Sequence, residues 1–160
     1  MLTIKMILSL FNILSGVENF PNSSKNIVCK LGNLRIALLM ANHINDTQLS
    51  IKVQEAFDDA IKELKEMLKK IPDIVFEQFG CELLEGSIKL NIKWNPNSPP
   101  IINISRQIGK AIIAMECFII IKANIQQKKA FGMIKQGDEK LKLFIKKFES
   151  SSIKKNIYDY

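Results

Sequence analysis

The sequence predicts an α+β domain that is mainly helical, with one strand followed by two or more helices and with further helices before it. Two observations carry this prediction. Apolar residues recur at helical spacing in several long segments, whereas "GSIKLNIKWNP" (86–96) alternates apolar and polar residues without a break. A single chain supplies one such strand, and pairing with its twin in a dimer would complete a two-stranded ribbon.

Length and composition indicate one domain. With 160 residues, of which 47% are hydrophobic, the chain can bury a sizeable core. We predict an N-terminal arm or packing segment (1–44), a helical core that contains the strand (45–149) and a loose tail (150–160). The apolar start, "MLTIKMILSLFNILSG", fits a packing helix or strand better than an export signal, because it has one early charge and no clear small-residue cleavage site. No stretch is long and apolar enough to predict a transmembrane helix.

The clearest helix is predicted from about Gln48 to Lys70, with Asp46 or Thr47 as its cap and Pro72 after its end. Its apolar residues form one stripe at helical spacing, which is typical of an amphipathic helix with one face in the core. The stripe consists of Leu49, Val53, Phe57, Ala60, Ile61, Leu64, Leu68 and Ile71. A shorter buried helix is predicted over 34–41.

The segment from about Ile104 to Asn124 predicts a helix that is apolar nearly all round. Such a helix is buried on more than one side, and in a small chain a subunit interface is one way to achieve this. We therefore predict a dimer interface made of apolar residues from the strand and from this helix: Ile88, Leu90, Ile92, Trp94, Ile108, Ile112, Met115 and Ile119. A last amphipathic helix is predicted to begin at Asp138, after the basic stretch "QQKKAFGMIKQG" (126–137).

Charge is distributed unevenly along the chain. The net charge is +7, but residues 1–86 hold nine Lys/Arg against 11 Asp/Glu (net −2), whereas residues 87–160 hold 14 against five (net +9). This asymmetry indicates a polyanionic partner, either nucleic acid or an acidic membrane surface. A solvated lysine-rich face, or the codon bias of an AT-rich genome, would produce the same count.

Residue types that carry catalysis or bind metals are sparse. The three cysteines (Cys29, Cys81 and Cys117) are far apart, His43 is the single histidine, and the sequence has no glycine-rich phosphate loop. We therefore predict a protein that is not an enzyme, with no metal, no cofactor and no small-molecule substrate. Isolated cysteines among apolar residues favour a reducing, cytoplasmic location.

The polar side of the strand predicts how a polyanion could be recognised. A two-stranded antiparallel ribbon fits the major groove of B-DNA, where lysine can pair with guanine and asparagine with adenine. We predict Lys89, Asn91 and Lys93 as base-reading residues. The predicted phosphate contacts are Ser87, Asn95, Arg106, Lys110, Lys128 and Lys129. An ordinary sheet strand with a hydrated polar face would show the same alternation.

Three sequence blocks carry a family resemblance: "NDTQLSIKVQEAFDDAIKEL", "IKLNIKWNPNSPPIINISRQIGKAIIAMECFIIIKANI" and "QQKKAFGMIKQGDEKLKLFIKKF". Together they span about 45–148 and resemble a family of integrating-conjugative-element proteins that includes the AcaB-type transcriptional activators, which are related to ribbon-helix-helix DNA binders. The resemblance implies a homodimeric DNA-binding regulator of mobile-element genes that reads bases with Lys89, Asn91 and Lys93.

The sequence therefore leaves two functions open. The first is a sequence-specific transcriptional regulator that binds double-stranded DNA as a dimer and does not associate with a membrane. The alternative is a non-enzymatic helical adaptor, chaperone or secretion-system accessory protein that holds a protein partner on apolar surface. The two differ in salt dependence, because counterion release weakens DNA binding as salt rises.

Overall fold

The computed structural model describes residues 24–93 and 101–158, which form a bundle of α-helices. In chain order these are α1 (Ser24–His43), α2 (Thr47–Lys69), α3 (Phe76–Ile92), α4 (Ile101–Ile120) and α5 (Asn124–Tyr158). A short 3₁₀ helix (Asp73–Val75) leads into α3. No strand occurs in the described residues, so the predicted α+β fold with a ribbon-helix-helix-like core is wrong.

The α4 helix is the centre of the bundle. Every other helix contacts it, whereas α2 lies outside and packs mainly on α1. The side chains of Ile108 and Ile112 are 0% and 4% exposed, so the chain itself covers the helix that the sequence predicts to be buried on several sides. Its burial needs no second subunit.

The contact between α1 and α4 depends on two glycines. A Cβ atom on Gly32 would lie 1.9 Å from the carbonyl oxygen of Ser105, and one on Gly109 would lie 2.0 Å from that of Val28. The two backbones therefore meet at distances that only glycine permits. The pairing of 28 with 109 and of 32 with 105 makes the helices antiparallel, and the helix predicted over 34–41 is the second half of α1.

The α2 helix forms where its apolar stripe predicts. It starts at Thr47, and the Asp46 carboxylate accepts a hydrogen bond from the Leu49 backbone N–H at 3.1 Å, which satisfies one open donor of the first turn. The buried side chains of α2 are Leu49, Val53, Ala60, Leu64 and Leu68, all members of the predicted stripe. The outer face is left to charged residues.

The predicted strand is the second half of α3, which runs to Ile92. After the buried Phe76 of the first turn, the helical face that turns inward consists of Gly80, Leu84, Ser87 and Asn91, at intervals of four, three and four residues. Gly80, Ser87 and Asn91 are small or polar, so a search for apolar residues at helical spacing does not detect this face. The isoleucines that produce the strand-like alternation are Ile88 and Ile92. Ile88 is half-buried and Ile92 is 76% exposed. Tertiary contacts have overridden local strand propensity here.

The stretch predicted as a basic connection is helical as well. The α5 helix begins at Asn124, not at Asp138, and passes through Gly132 and Gly137 without a break. Gly137 lies against α4, since a Cβ atom there would be 2.4 Å from Cγ1 of Ile108. This glycine therefore serves close packing within a helix, and Asp138 binds Arg35 of α1 instead of capping a helix.

Candidate nucleic-acid interface

The predicted base-reading residues lie on a helix and not on a ribbon. Lys89 and Lys93 are exposed at the end of α3, and the Lys89 Nζ atom is 3.7 Å from Oε1 of Glu85, one turn earlier. Asn91 is half-buried and engaged inside the bundle. The three side chains therefore do not form one groove-reading surface.

The predicted phosphate contacts are scattered over the bundle. Ser87 is buried and donates a hydrogen bond to the Gln107 carbonyl oxygen at 2.8 Å. Lys110 is half-buried beside Gly86, and a Cβ atom at that glycine would lie 3.0 Å from the lysine Nζ atom. Lys128 and Lys129 are exposed on α5. Lys128 and Lys129 are therefore the two predicted phosphate contacts that lie side by side on one exposed surface.

Arg106 is exposed, on a face of α4 different from that of Ile108, which packs on α5. It therefore does not extend the surface around Lys128. Asn95 and Trp94 lie outside the described residues.

The residues predicted as a dimer interface divide between core and surface. Ile108 and Ile112 are in the core of the chain itself, and Ile88, Leu90 and Met115 are half-buried. Ile92 and Ile119 are exposed.

A network of buried polar groups joins α3, α4 and α5. The Gln107 side chain, 1% exposed, donates from Nε2 to Oδ1 of Asn91 at 3.2 Å and to the Met133 carbonyl oxygen at 3.1 Å. Lys140 donates to the Asn91 carbonyl oxygen at 2.7 Å and to Oε1 of Gln107 at 3.2 Å. Asn91 donates in turn to Oε1 of Gln136 at 2.6 Å. Gln107 thus forms the hub that fixes α5 against the hairpin of α3 and α4.

Lys140 is the charged member of this network. Its side chain reaches the last turn of α3, where backbone carbonyl oxygens lack helical donors and favour a cation. Burial lowers the pKa of Lys140 to about 8. Because this lysine points inward, it belongs to the structure of the bundle and not to the basic surface.

The opposite side of α5 presents a row of lysines, which we call the basic face of α5. It consists of Lys128, Lys135, Lys142 and Lys146, flanked by Lys129 and Lys147, all exposed. The first three are seven residues apart, so they recur on one side of the helix with a rise of about 10.5 Å between neighbours. From Lys128 to Lys146 the row is about 27 Å long.

The carboxylates of α5 leave this face almost clear. The Asp138 carboxylate is held by Arg35 through two hydrogen bonds of 3.2 and 2.7 Å, and Glu149 lies 2.6 Å from Nε2 of His43. Both partners are on α1, to one side of the lysine row. Glu139 is the acid that lies within the row, 3.1 Å from Lys142. Among the described residues, Lys128, Lys129 and Lys146 form no ion pair.

Sequence reasoning found two members of this face, Lys128 and Lys129, and missed Lys135, Lys142 and Lys146 as site residues. The missed signal is the seven-residue interval, which continues through Gly132 and Gly137. The prediction that the last helix begins at Asp138 divided α5 and concealed the row.

The described residues give little support to a metal site or a membrane-spanning helix. They contain no cluster of three or more His, Cys, Asp or Glu side chains able to hold a metal ion. None of their helices is both long and apolar enough to cross a membrane.

Comparisons with known protein families, with characterised proteins and with solved structures find no match to this chain. The resemblance to integrating-conjugative-element proteins therefore stays a prediction that rests on the three sequence blocks.

Proposed function

We propose that the protein binds nucleic acid through the basic face of α5. The observation that carries this proposal is the row of exposed lysines on one side of a single helix, at intervals of seven, seven and four residues, with two of the three acids over 124–149 paired with α1. A regular row of cations can neutralise successive backbone phosphates and release their counterions, which is the main source of sequence-independent affinity.

The charge of the rest of the bundle favours one orientation of binding. Apart from Lys89, the charged residues of α3 are acidic: Glu77, Glu82 and Glu85. Helix α2 carries five acids against four lysines. A polyanion is therefore attracted to α5 and repelled by α3, so that encounter is steered to one side of the molecule.

The proposed partner is the one that the sequence predicts, but the proposed mode of binding is different. Nucleic acid remains the partner and a role in transcription remains compatible with it, which implies a cytoplasmic location. Reading of bases by a shared ribbon is replaced by backbone contacts from one chain, and no dimer is required.

The test compares two triple variants that lose the same charge. One neutralises the basic face (Lys128→Gln, Lys142→Gln and Lys146→Gln), and its matched control neutralises α2 (Lys52→Gln, Lys62→Gln and Lys65→Gln). Affinity for a labelled DNA duplex and for a labelled single strand is measured by fluorescence anisotropy at one salt concentration. We expect at least about a tenfold loss for the α5 variant and less than about twofold for the α2 variant. Equal losses would mean that net charge alone governs binding, and the proposal would be wrong.

A second function, the helical adaptor, is favoured by exposed isoleucines at one end of the bundle. Ile119, Ile120 and Ile125 surround the turn between α4 and α5, and Ile74 lies before α3, whose first turns pack on the end of α4. An adaptor that uses this end would lose a protein partner on Ile125→Glu, with little dependence on salt. The α5 lysine variant would leave such binding unchanged.

A further inference from the structure

One aromatic ring lies on the basic face of α5. Phe131 is 49% exposed and is the aromatic residue among the large apolar side chains that the described part of the chain exposes. It follows Lys128 by three residues and precedes Lys135 by four, so both lysines are one turn away on the same side of the helix. The Lys135 Nζ atom lies 4.8 Å from the centre of the ring.

Exposed aliphatic residues do not distinguish α5 from the other helices. Ile51 on α2, Ile92 on α3 and Ile102 on α4 are at least as exposed as Leu143 on α5. The combination of an open ring with lysines on both sides is found on α5 alone among the described helices. The exposed ring of Phe131 is therefore a distinguishing feature of the basic face.

A ring between phosphate-binding lysines matches the chemistry of an unpaired strand. The bases of a single strand can leave their neighbours and stack on an aromatic side chain, while the backbone follows the positive charge. In a duplex the bases are already stacked and paired inside the helix. A ring on a convex protein surface gains contact with duplex bases only by wedging them apart.

We propose that the preferred ligand of the basic face is single-stranded nucleic acid, with a base stacked on Phe131 and the backbone held by Lys128 and Lys135. This inference rests on the proposed function and narrows its substrate class. Stacking is tolerant of sequence, because every base has a π face. The Lys135 ammonium lies over one face of the ring, so a stacked base would take the other face.

The test separates stacking from charge. Anisotropy is measured with an oligothymidine of about 20 nucleotides and with a duplex of equal length, both at the same salt concentration. The proteins are the natural chain, Phe131→Leu, Phe131→Trp, and Leu143→Ala as a control for an exposed apolar residue of the same helix. Circular dichroism confirms that each variant is folded, which we expect because both positions are on the surface.

We expect Phe131→Leu to weaken single-strand binding roughly 5- to 150-fold and to change duplex binding less than about twofold. Phe131→Trp should keep or increase single-strand affinity, and Leu143→Ala should change neither. If Phe131→Leu leaves single-strand affinity unchanged, or weakens both ligands equally, the stacking inference is wrong while lysine-dependent binding still supports the proposed function. If neither oligonucleotide binds and vesicles rich in phosphatidylglycerol do, both proposals are overturned.

Discussion

Helices α2 and α5 both lie along the outside of the bundle and both are rich in lysine, but they present opposite surfaces. Over Thr47–Lys69, α2 has four lysines against five acids, whereas α5 has seven lysines against three acids over 124–149. Five acids are interspersed among the four lysines of α2, and one of them, Glu66, pairs with Lys69 at 2.9 Å. The number and placement of acids, more than the number of lysines, therefore decide which helix offers a polyanion a surface.

The two helices also differ in how they are held. The inner face of α2 is an apolar stripe, and its polar links to α1 lie at the edge of that stripe, as in the pair of Glu63 with Lys30 at 3.1 Å. The inner face of α5 combines apolar residues with Lys140, which reaches the buried network around Gln107, and with Gly137, which touches Ile108. Because α5 is fixed by directional contacts, its outer lysines keep a defined register.

The largest effect should come from removing the hub of this network. Gln107→Ala removes the hydrogen bonds that the side chain of Gln107 makes with Asn91, Met133 and Lys140, so we expect a loss of about 3 kcal/mol in the free energy of unfolding. Gln54→Ala on α2 removes an exposed bond of 3.0 Å to Asp58 and should cost less than about 0.5 kcal/mol. Urea denaturation measures both, and equal losses would mean that α5 is held no differently from α2.

The two glycines of α5 should respond in opposite directions to the same change, a contrast that α2, which has no glycine, cannot offer. Gly137→Ala drives a methyl group into Ile108 and should destabilise the protein by about 1–2 kcal/mol. A Cβ atom on Gly132 meets nothing within 4 Å, so Gly132→Ala should stabilise it by about 0.5–1 kcal/mol. Thermal unfolding of the two variants is the measurement. A gain for Gly137→Ala would contradict the close packing of α5 on α4.

A smaller effect is expected from pH. Because the pKa of Lys140 is lowered to about 8 in the folded chain from 10.5, the unfolded chain binds more protons above pH 8, and stability rises with pH in that window. Between pH 8 and 9 the gain should be about 1 kcal/mol, and Lys140→Met should abolish it.

Cys117 limits the pH range in which the free energy of unfolding rises, because its titration has the opposite effect at alkaline pH. Burial, followed by the charge of Glu116, raises the pKa of its thiol from 9 to about 11, so its contribution to stability is lost as pH rises above 9. The difference in unfolding free energy between the natural chain and Lys140→Met, followed from pH 7 to 9, isolates the lysine. An unchanged difference would show that Lys140 titrates normally.

The smallest effect concerns the stability of the lysine variants themselves. The outer side chains of α2 and α5 make few contacts, so each triple Lys→Gln variant should unfold within about 1 kcal/mol of the natural chain. A markedly less stable α5 variant would mean that Lys128, Lys142 and Lys146 are structural. Any loss of binding by that variant would then be indirect.

Sequence alone predicted α2 well and α3 poorly for the same physical reason. The inner face of α2 is made of large apolar residues at helical spacing, which a hydrophobic pattern detects. After Phe76, the inner face of α3 is made of Gly80, Leu84, Ser87 and Asn91, whose places are set by the close approach of α4 and by hydrogen bonds to it. Those partners lie 16 to 20 residues away in the chain, beyond any local pattern.

The candidate site was predicted in part. The excess of positive charge after residue 86 includes the lysines of α5, and two predicted phosphate contacts, Lys128 and Lys129, lie on its basic face. The remaining lysines became a row only once the helix was continuous through Gly132 and Gly137. The seven-residue interval is present in the sequence, whereas the close packing of Gly137 on Ile108 of α4 is seen only in the fold.

The salt dependence of binding distinguishes the proposed binding of nucleic acid by the basic face of α5 from binding that depends on net charge alone. The slope of log affinity against log salt concentration is measured for the natural chain and for the two triple variants, which have equal net charge. We predict that the α5 variant loses between about two and three units of slope, since each phosphate contact contributes about 0.7 to 0.9, and that the α2 variant keeps the natural slope. Equal slopes for the two variants would contradict the proposal.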